Sequence, residues 1–289
     1  MNIGNRILSF LIGIVSLFPF WLIYVLSDIL FILLYYVFRY RKSVVDENLS
    51  QAFPEKTTSE RNKITKKFYK HLADMVLETI KMKAITAKEV RKRIRLNNPQ
   101  EVYQYLDRKQ SVIGVTGHYG NWELGIHSLS LMINNPVLII YKPLTNKGFE
   151  SIFNKIRSRF GAQMVPMKQT LRQILSHKDI PHVSIFLSDQ TPAPSESNYY
   201  TPFLGQETLV FQGVEKIARS TNFPVVYCHI NRLRRGYYEC TFTTLCSEPK
   251  NADAHRITAK HVQFLENIIK QRPELWLWSH RRWKYKPIS

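Results

Sequence analysis

Apolar and polar positions change their rhythm sharply along the chain. Residues 10–38 are apolar all round, with Asp28 as their one charged side chain. As a single helix they would run about 43 Å, against roughly 30 Å of hydrocarbon in a bilayer. Pro19 interrupts the run, so the segment either crosses a bilayer with tilt or bends and lies partly in the interface. It is too long for a secretory signal, and no small-residue cleavage pattern follows it. The pattern predicts a membrane anchor over residues 1–42 and a body over residues 43–289. Arg6 is the only cation on the N-terminal side, whereas Arg39, Arg41 and Lys42 follow the run, which sets the body on the cytoplasmic side. Tyr35, Tyr36 and Tyr40 fit an aromatic belt at headgroup level.

Beyond the anchor the period becomes helical. Ser59-Glu60 opens an amphipathic helix whose apolar face carries Ile64, Phe68, Leu72, Met75, Val76, Thr79 and Ile80. Arg61, Lys63, Lys66, Lys67 and Lys70 occupy its other face, and a second basic run, residues 87–96, follows. Next to an anchor such a run faces either plain solvent or an anionic surface, of lipid or of an acidic carrier. After Pro99 short apolar runs alternate with helical stretches. Strands are predicted at 112–116, 137–141, 182–187 and 224–230, and helices at 122–131, 149–159, 170–177 and 214–221. An Arg235-Gly236 turn leads to a last hairpin strand at 237–245. The alternation predicts an α/β fold: a central, mostly parallel sheet flanked by helices. Residues 191–205 form the longest irregular loop, of the kind that is functional or disordered.

Composition adds a charge argument. Lys and Arg number 41 against 22 acids, a formal charge of +19, which points to an anionic partner: nucleic acid, anionic membrane or a phosphorylated substrate. Cys228, Cys240 and Cys246 are odd in number and widely spaced, so they are read as small hydrophobes in a reducing compartment. None of His71, His127, His177, His182, His229, His255, His261 and His280 has the paired spacing of metal ligands.

Candidate chemistry concentrates in residues 111–125, SVIGVTGHYGNWELG. A β-branched strand runs out at Gly117, His118 follows, and Trp122-Glu123 opens a helix. Five residues apart, His118 and Glu123 would not share a helix face. They meet only if His118 lies in the preceding turn, which Gly117 and Gly120 permit. A histidine base with a carboxylate fixing its tautomer is the division of labour of hydrolase triads. No serine or cysteine elbow accompanies them, which disfavours a serine hydrolase and predicts that the attacking hydroxyl belongs to the substrate.

GHYGNWELG resembles the block of histidine, four residues and an acid found in the glycerolipid acyltransferase superfamily, and more closely the bacterial lipid A biosynthesis acyltransferases that add lauroyl or myristoyl chains. Further stretches resemble that family's blocks in the same order: NLSQAFPE after the anchor, YKPLTN, IRSRFGAQMVP, LSDQ followed by TPFLG, and PELWLWSHRRWK. The resemblance implies a glycerol-3-phosphate acyltransferase-like fold at the inner membrane. The implied reaction moves a fatty acyl chain from a thioester, of acyl carrier protein or of CoA, to a hydroxyl of an anionic glycolipid acceptor. No cofactor is implied, because the thioester already activates the acyl group. It implies His118 as general base and Glu123 as the residue that orients it and stabilises the imidazolium. Arg157 would contact substrate phosphate or oxyanion, with Arg159 as its alternative. Arg172, Asn121, Asp189 and Gln190 are further substrate-binding candidates, the last pair standing equally well for a strand-end turn. Lys142 stands where that family commonly places arginine, so another lyso-lipid, a lysophospholipid or an aminolipid, remains an alternative acceptor. Trp276, Trp278 and Trp283 among Arg281, Arg282, Lys284 and Lys286 suit either an interfacial membrane contact or a base-stacking platform. The second fits only a tethered RNA-binding protein, for which the chain carries no other signature.

Overall fold

The computed structural model describes residues 3–177 and 179–285; Lys286 of the C-terminal basic cluster lies outside them. The apolar segment is broken, as Pro19 allows. Helix α1 (Ile3–Leu17) ends before Pro19, and α2 (Phe20–Ile32) continues through a π-helical turn, Leu33–Val37. Residues Phe20–Val37 are long and apolar enough to cross a membrane by length and composition. Helix α3 (Lys42–Ala52) leads to the amphipathic helix α4 (Thr58–Lys81), which Thr57 and Glu60 cap reciprocally at its N-terminus.

The bent apolar segment is clamped to the body on one side. Along α2, Ser27 donates to buried Asp74 at 2.7 Å, Arg235 bridges Asp28 and Asp74, and Tyr24 donates to Glu78 at 3.1 Å. Lys81 donates to the carbonyls of Ser16 and Phe18, and Lys83 to that of Ser9. Part of the basic run is therefore turned inward. Arg93 of α5 (Ala87–Arg93) is buried, bonded to Glu89 and to Gly236 O, with its guanidinium 3.1 Å from the Phe20 ring centroid. The opposite face of the segment, with Phe10, Leu17, Trp21 and Val25, is exposed. Carbonyls freed where the apolar run bends find lysine donors, and the lone acid of the run finds an arginine. Both needs would otherwise be costly in an apolar medium.

The body is built on a mixed sheet in the order β1-β9-β8-β2-β5-β3-β4. Its strands are β1 (Ile94–Asn97), β2 (Val112–Thr116), β3 (Val137–Tyr141), β4 (Gln163–Pro166), β5 (Val183–Leu187), β8 (Val225–Arg234) and β9 (Tyr237–Cys246). Every neighbouring pair is parallel except the β8–β9 hairpin. A small antiparallel pair, β6 (Tyr200–Phe203) with β7 (Gln206–Leu209), occupies the end of the loop expected to be irregular. Helices α6 (Gln100–Leu106), α7 (Trp122–Met132), α8 (Lys147–Arg157), α9 (Thr170–Ser176), α10 (Gly213–Thr221) and α11 (Arg256–Gln271) make the connections. All five residues of β2 are buried, as its lack of any charged side chain suits a central parallel strand. The chain leaves β2, places β3, β4 and β5 on one side of it, then crosses to β8 on the other. The carboxyl end of β2 is thus the switch point where such sheets collect ligands.

Asp74 is fully buried and receives Arg232 at 2.7 Å, Arg235 and Ser27. Replacing it with alanine leaves the Arg232 guanidinium without its carboxylate and removes the Ser27 and Arg235 bonds that tie α2 to α4, Arg235 keeping Asp28. We expect Asp74→Ala to lower unfolding free energy by about 3 kcal/mol or more. Asp253→Ala, which breaks the exposed pair with Arg256, should cost under about 1 kcal/mol. Denaturant titration of the two variants in detergent checks this, and equal losses would contradict the clamp.

Candidate active site

Parallel register assembles the site. Thr116 and Leu187, the last residues of β2 and β5, are paired, and the Ser188 N–H donates to the Thr116 carbonyl at 3.1 Å. His118 and Asp189 each lie two positions further on, so they leave adjacent strand ends side by side. His118 Nδ1 sits 2.6 Å from Asp189 Oδ1, and the His118 backbone N–H donates to Asp189 Oδ2 at 2.8 Å. Trp276 Nε1 donates to the same Oδ2 at 2.8 Å. Burial opposes ionisation of Asp189, but the His118 charge and these donors outweigh it and hold the carboxyl down at about 2. An ionised acceptor at Nδ1 fixes the tautomer with the proton on Nδ1 and leaves Nε2 to accept one. Gln190 Nε2 stands 3.4 Å from that Nε2.

The turn that carries His118 is fixed from behind. Gly120 has φ of +63°, and a Cβ there would lie 2.1 Å from the Ile230 carbonyl oxygen, so glycine is required. Its carbonyl accepts from His71 Nε2, whose ring is held neutral by burial and by the neighbouring Arg232, its titration lowered to about 4. Asn121, expected at the substrate, is fully buried in scaffold instead. Its Oδ1 caps α7 through the Leu124 N–H, and its Nδ2 donates to Glu78.

Glu123 does not take the orienting place beside His118. Arg157 Nε donates to its Oε2 at 2.8 Å, Arg157 Nη2 and Trp122 Nε1 both reach Oε1, and Asp189 occupies Nδ1. The geometric reason is that Glu123 lies in the first turn of α7, facing the end of α8 where Arg157 sits. Burial works against ionisation of Glu123, yet Arg157 and the His118 charge hold its carboxyl below the usual range. The site is therefore a pair of pairs, His118–Asp189 beside Glu123–Arg157, with the Trp122 ring edge-on to His118 at 4.9 Å.

These groups open onto a cavity of about 700 Å³. His118, Trp122, Arg157 and Gln190 stand at its polar end, and Ile139, Phe149, Phe153 and Ile217 line its apolar length. Of the predicted cations, Arg157 lines the cavity. Arg159 is exposed and reaches the Lys83 carbonyl, and Arg172 is exposed on α9; neither contributes to the wall. Lys142 lines it too, paired with Glu196 at 3.2 Å. Trp276 and Trp278 are buried, not presented at a surface, so neither a stacking platform nor a membrane-facing tryptophan cluster forms there. The sequence reading missed the support given by Trp276 and the position of His280, which lines the cavity and accepts from the Thr191 N–H. Their signal was the Trp- and His-rich C-terminal stretch itself, read as surface because cations flank it. Among the described residues no cluster of three or more His, Cys, Asp or Glu is placed to hold a metal.

Comparison with known proteins fits this arrangement. The family of bacterial lipid A biosynthesis acyltransferases matches residues 6–285. The lipid A biosynthesis palmitoleoyltransferase of Escherichia coli is 23% identical over 251 residues, covering 86% of this chain and 80% of that protein. The lauroyltransferase of the same organism is 23% identical over 249 residues, with the same coverage. A lipid A biosynthesis acyltransferase of Haemophilus influenzae is 21% identical over 180 residues, 62% of this chain and 56% of that protein.

The two carboxylates separate by substitution. Asp189→Asn keeps the shape but releases the tautomer, and acyl transfer should fall by on the order of 10²–10⁴ in kcat. Glu123→Gln should weaken transfer and also lower unfolding free energy by about 2 kcal/mol or more, because half-buried Arg157 loses its charged partner. Steady-state kinetics with thermal unfolding on each variant checks this; an Asp189→Asn enzyme of near-normal rate would contradict the assigned pair.

Proposed function

The chain belongs to the family of bacterial lipid A biosynthesis acyltransferases, and we propose that it moves a fatty acyl chain from an acyl carrier protein thioester onto a hydroxyl of a lipid A precursor. The observation that carries the mechanism is the His118 Nδ1–Asp189 contact of 2.6 Å, which leaves Nε2 as proton acceptor at the mouth of an apolar cavity. In this reading the acceptor hydroxyl loses its proton to His118 Nε2 as its oxygen attacks the thioester carbonyl, forming the C–O bond. The tetrahedral intermediate carries its negative charge beside Arg157, whose Nε and Nη2 are committed to Glu123 and whose position is thereby fixed. Collapse breaks the C–S bond, and the departing thiolate takes the proton back from Nε2. Asp189 holds the imidazolium directly, and Glu123 adds a second negative charge nearby.

The apolar length of the cavity suits the acyl chain of the donor, and its polar end suits the carbonyl. The basic excess suits both an acidic carrier and a phosphorylated acceptor. The exposed apolar face of α1 and α2 suits a membrane surface, with the body on the cytoplasmic side where acyl thioesters are made. Lys142 in the cavity wall keeps a lyso-phospholipid as the second acceptor to be tried.

Purified protein in mixed micelles, offered the carrier-protein or CoA thioester with either a lipid A precursor or a lyso-phospholipid, tests the reading. Transfer from the carrier thioester to the lipid A precursor should dominate, and His118→Ala should lose on the order of 10²–10⁴ of the rate while remaining folded. Near-normal turnover by His118→Ala would sink the base assignment, and preference for the lyso-phospholipid would sink the acceptor assignment.

A further inference from the structure

A second cavity, of about 380 Å³, lies on the other side of Gln190 and His280 from the first, and these two residues line both. Its walls come from the bent apolar segment and from α4: Leu30 and Leu34 from the one, Leu72 and Val76 from the other, together with Arg41. Val76 is 37% exposed, so the α4 wall of the cavity reaches the protein surface. The backbone here is specialised. Leu33–Val37 winds as a π-helix, which carries Leu34 into the wall, and Arg39 and Arg41 hold positive φ of 47° and 51°. Both features are uncommon for such side chains and cluster at functional sites. Arg41 is fixed in place by donating to the Ser279 carbonyl at 3.0 Å.

We propose that this cavity binds a hydrocarbon chain of the acceptor lipid, which enters sideways from the bilayer between α2 and α4, with Arg41 at the acceptor's phosphate. The inference rests on the acyl-transfer reading above and assigns the two substrates to separate cavities. Several features commit the occupant to the acceptor. The wall is made by the very segment whose outer face is apolar and exposed, so a chain passes from lipid into it without crossing water. The cavity reaches the site at Gln190, which stands at His118 Nε2, the atom that must receive the acceptor's proton. The larger cavity, lined by Phe149, Phe153 and Ile217, approaches the same atom from the other side and has no residue of the bent apolar segment in its wall. Acceptor and donor thus meet at Nε2 from opposite directions. Arg41, in the wall of the smaller cavity, matches an anionic headgroup.

Filling the cavity from either wall tests this, using Val76→Trp and Leu34→Trp. Each enzyme is assayed with carrier-protein thioester and a chain-bearing lipid A precursor in mixed micelles, and separately for hydrolysis of the thioester without acceptor. The acceptor KM should rise by about tenfold or more in both variants, the loss expected from excluding about two buried methylenes. The donor KM and the acceptor-free hydrolysis rate, which report an intact fold and site, should stay within about twofold of wild type. An unchanged acceptor KM, or a donor KM that rises in step with it, overturns the assignment. Wild-type protein that transfers to no lipid acceptor overturns the acyl-transfer reading itself and this inference with it.

Discussion

The parallel pairing of β2 with β5 is the constraint on which the site depends. It sets Thr116 against Leu187, so the next residues along each strand, His118 and Asp189, emerge together at the carboxyl edge of the sheet. No flexible loop has to find this geometry. The bond between Nδ1 and the carboxylate is supported by a backbone N–H and by Trp276, both reaching the second carboxylate oxygen. Rigid supply of the orienting carboxylate matters because a base that wanders by an ångström loses much of its advantage. Glu123 does not take that place and instead holds the Arg157 guanidinium in the cavity wall.

The same turn is tied to the bent apolar segment. His71 on α4 holds the Gly120 carbonyl, Glu78 holds Asn121, and Asp74 one turn away gathers Arg232, Arg235 and Ser27. Burial and the adjacent Asp74 push the Glu78 carboxyl above its usual range, and three donors, from Tyr24, Asn121 and Tyr238, surround it. Helix α4 therefore carries the apolar segment on one flank and the turn of His118 on another. Part of the positive charge is committed here, because Arg93, Arg232, Arg235, Lys81 and Lys83 hold carbonyls and acids of the fold.

Much of the fold was legible in the sequence, because buried parallel strands and amphipathic helices write their periods directly into it. The strands at 137–141, 182–187 and 224–230, the last hairpin strand after Gly236 and, to within a residue, the start of α4, read at Ser59-Glu60 and found at Thr58, were all readable in that way. Strands β1, β4, β6 and β7 were not, being four residues each and partly exposed, too short to establish a period. The candidates His118, Arg157 and the Asp189-Gln190 pair are brought close together by the fold, but their pairing was not legible in the sequence. His118 and Asp189 are 71 residues apart and are joined only by register, whereas Glu123 was near in sequence and faced elsewhere. Asn121 and the tryptophans of the C-terminal stretch were misplaced for a related reason. Polar or charge-flanked residues read as surface, and only the fold reveals that they close a buried cap and buttress a carboxylate.

Mass spectrometry of total lipid A tests the central claim most directly. The material would come from cells lacking this chain and from the same cells carrying either the wild-type chain or Asp189→Asn. Wild type should restore one acyl chain, its mass naming the chain length, and both the deletion and Asp189→Asn should lack it. Lipid A of unchanged acylation in the deletion, or full acylation by Asp189→Asn, would contradict the account.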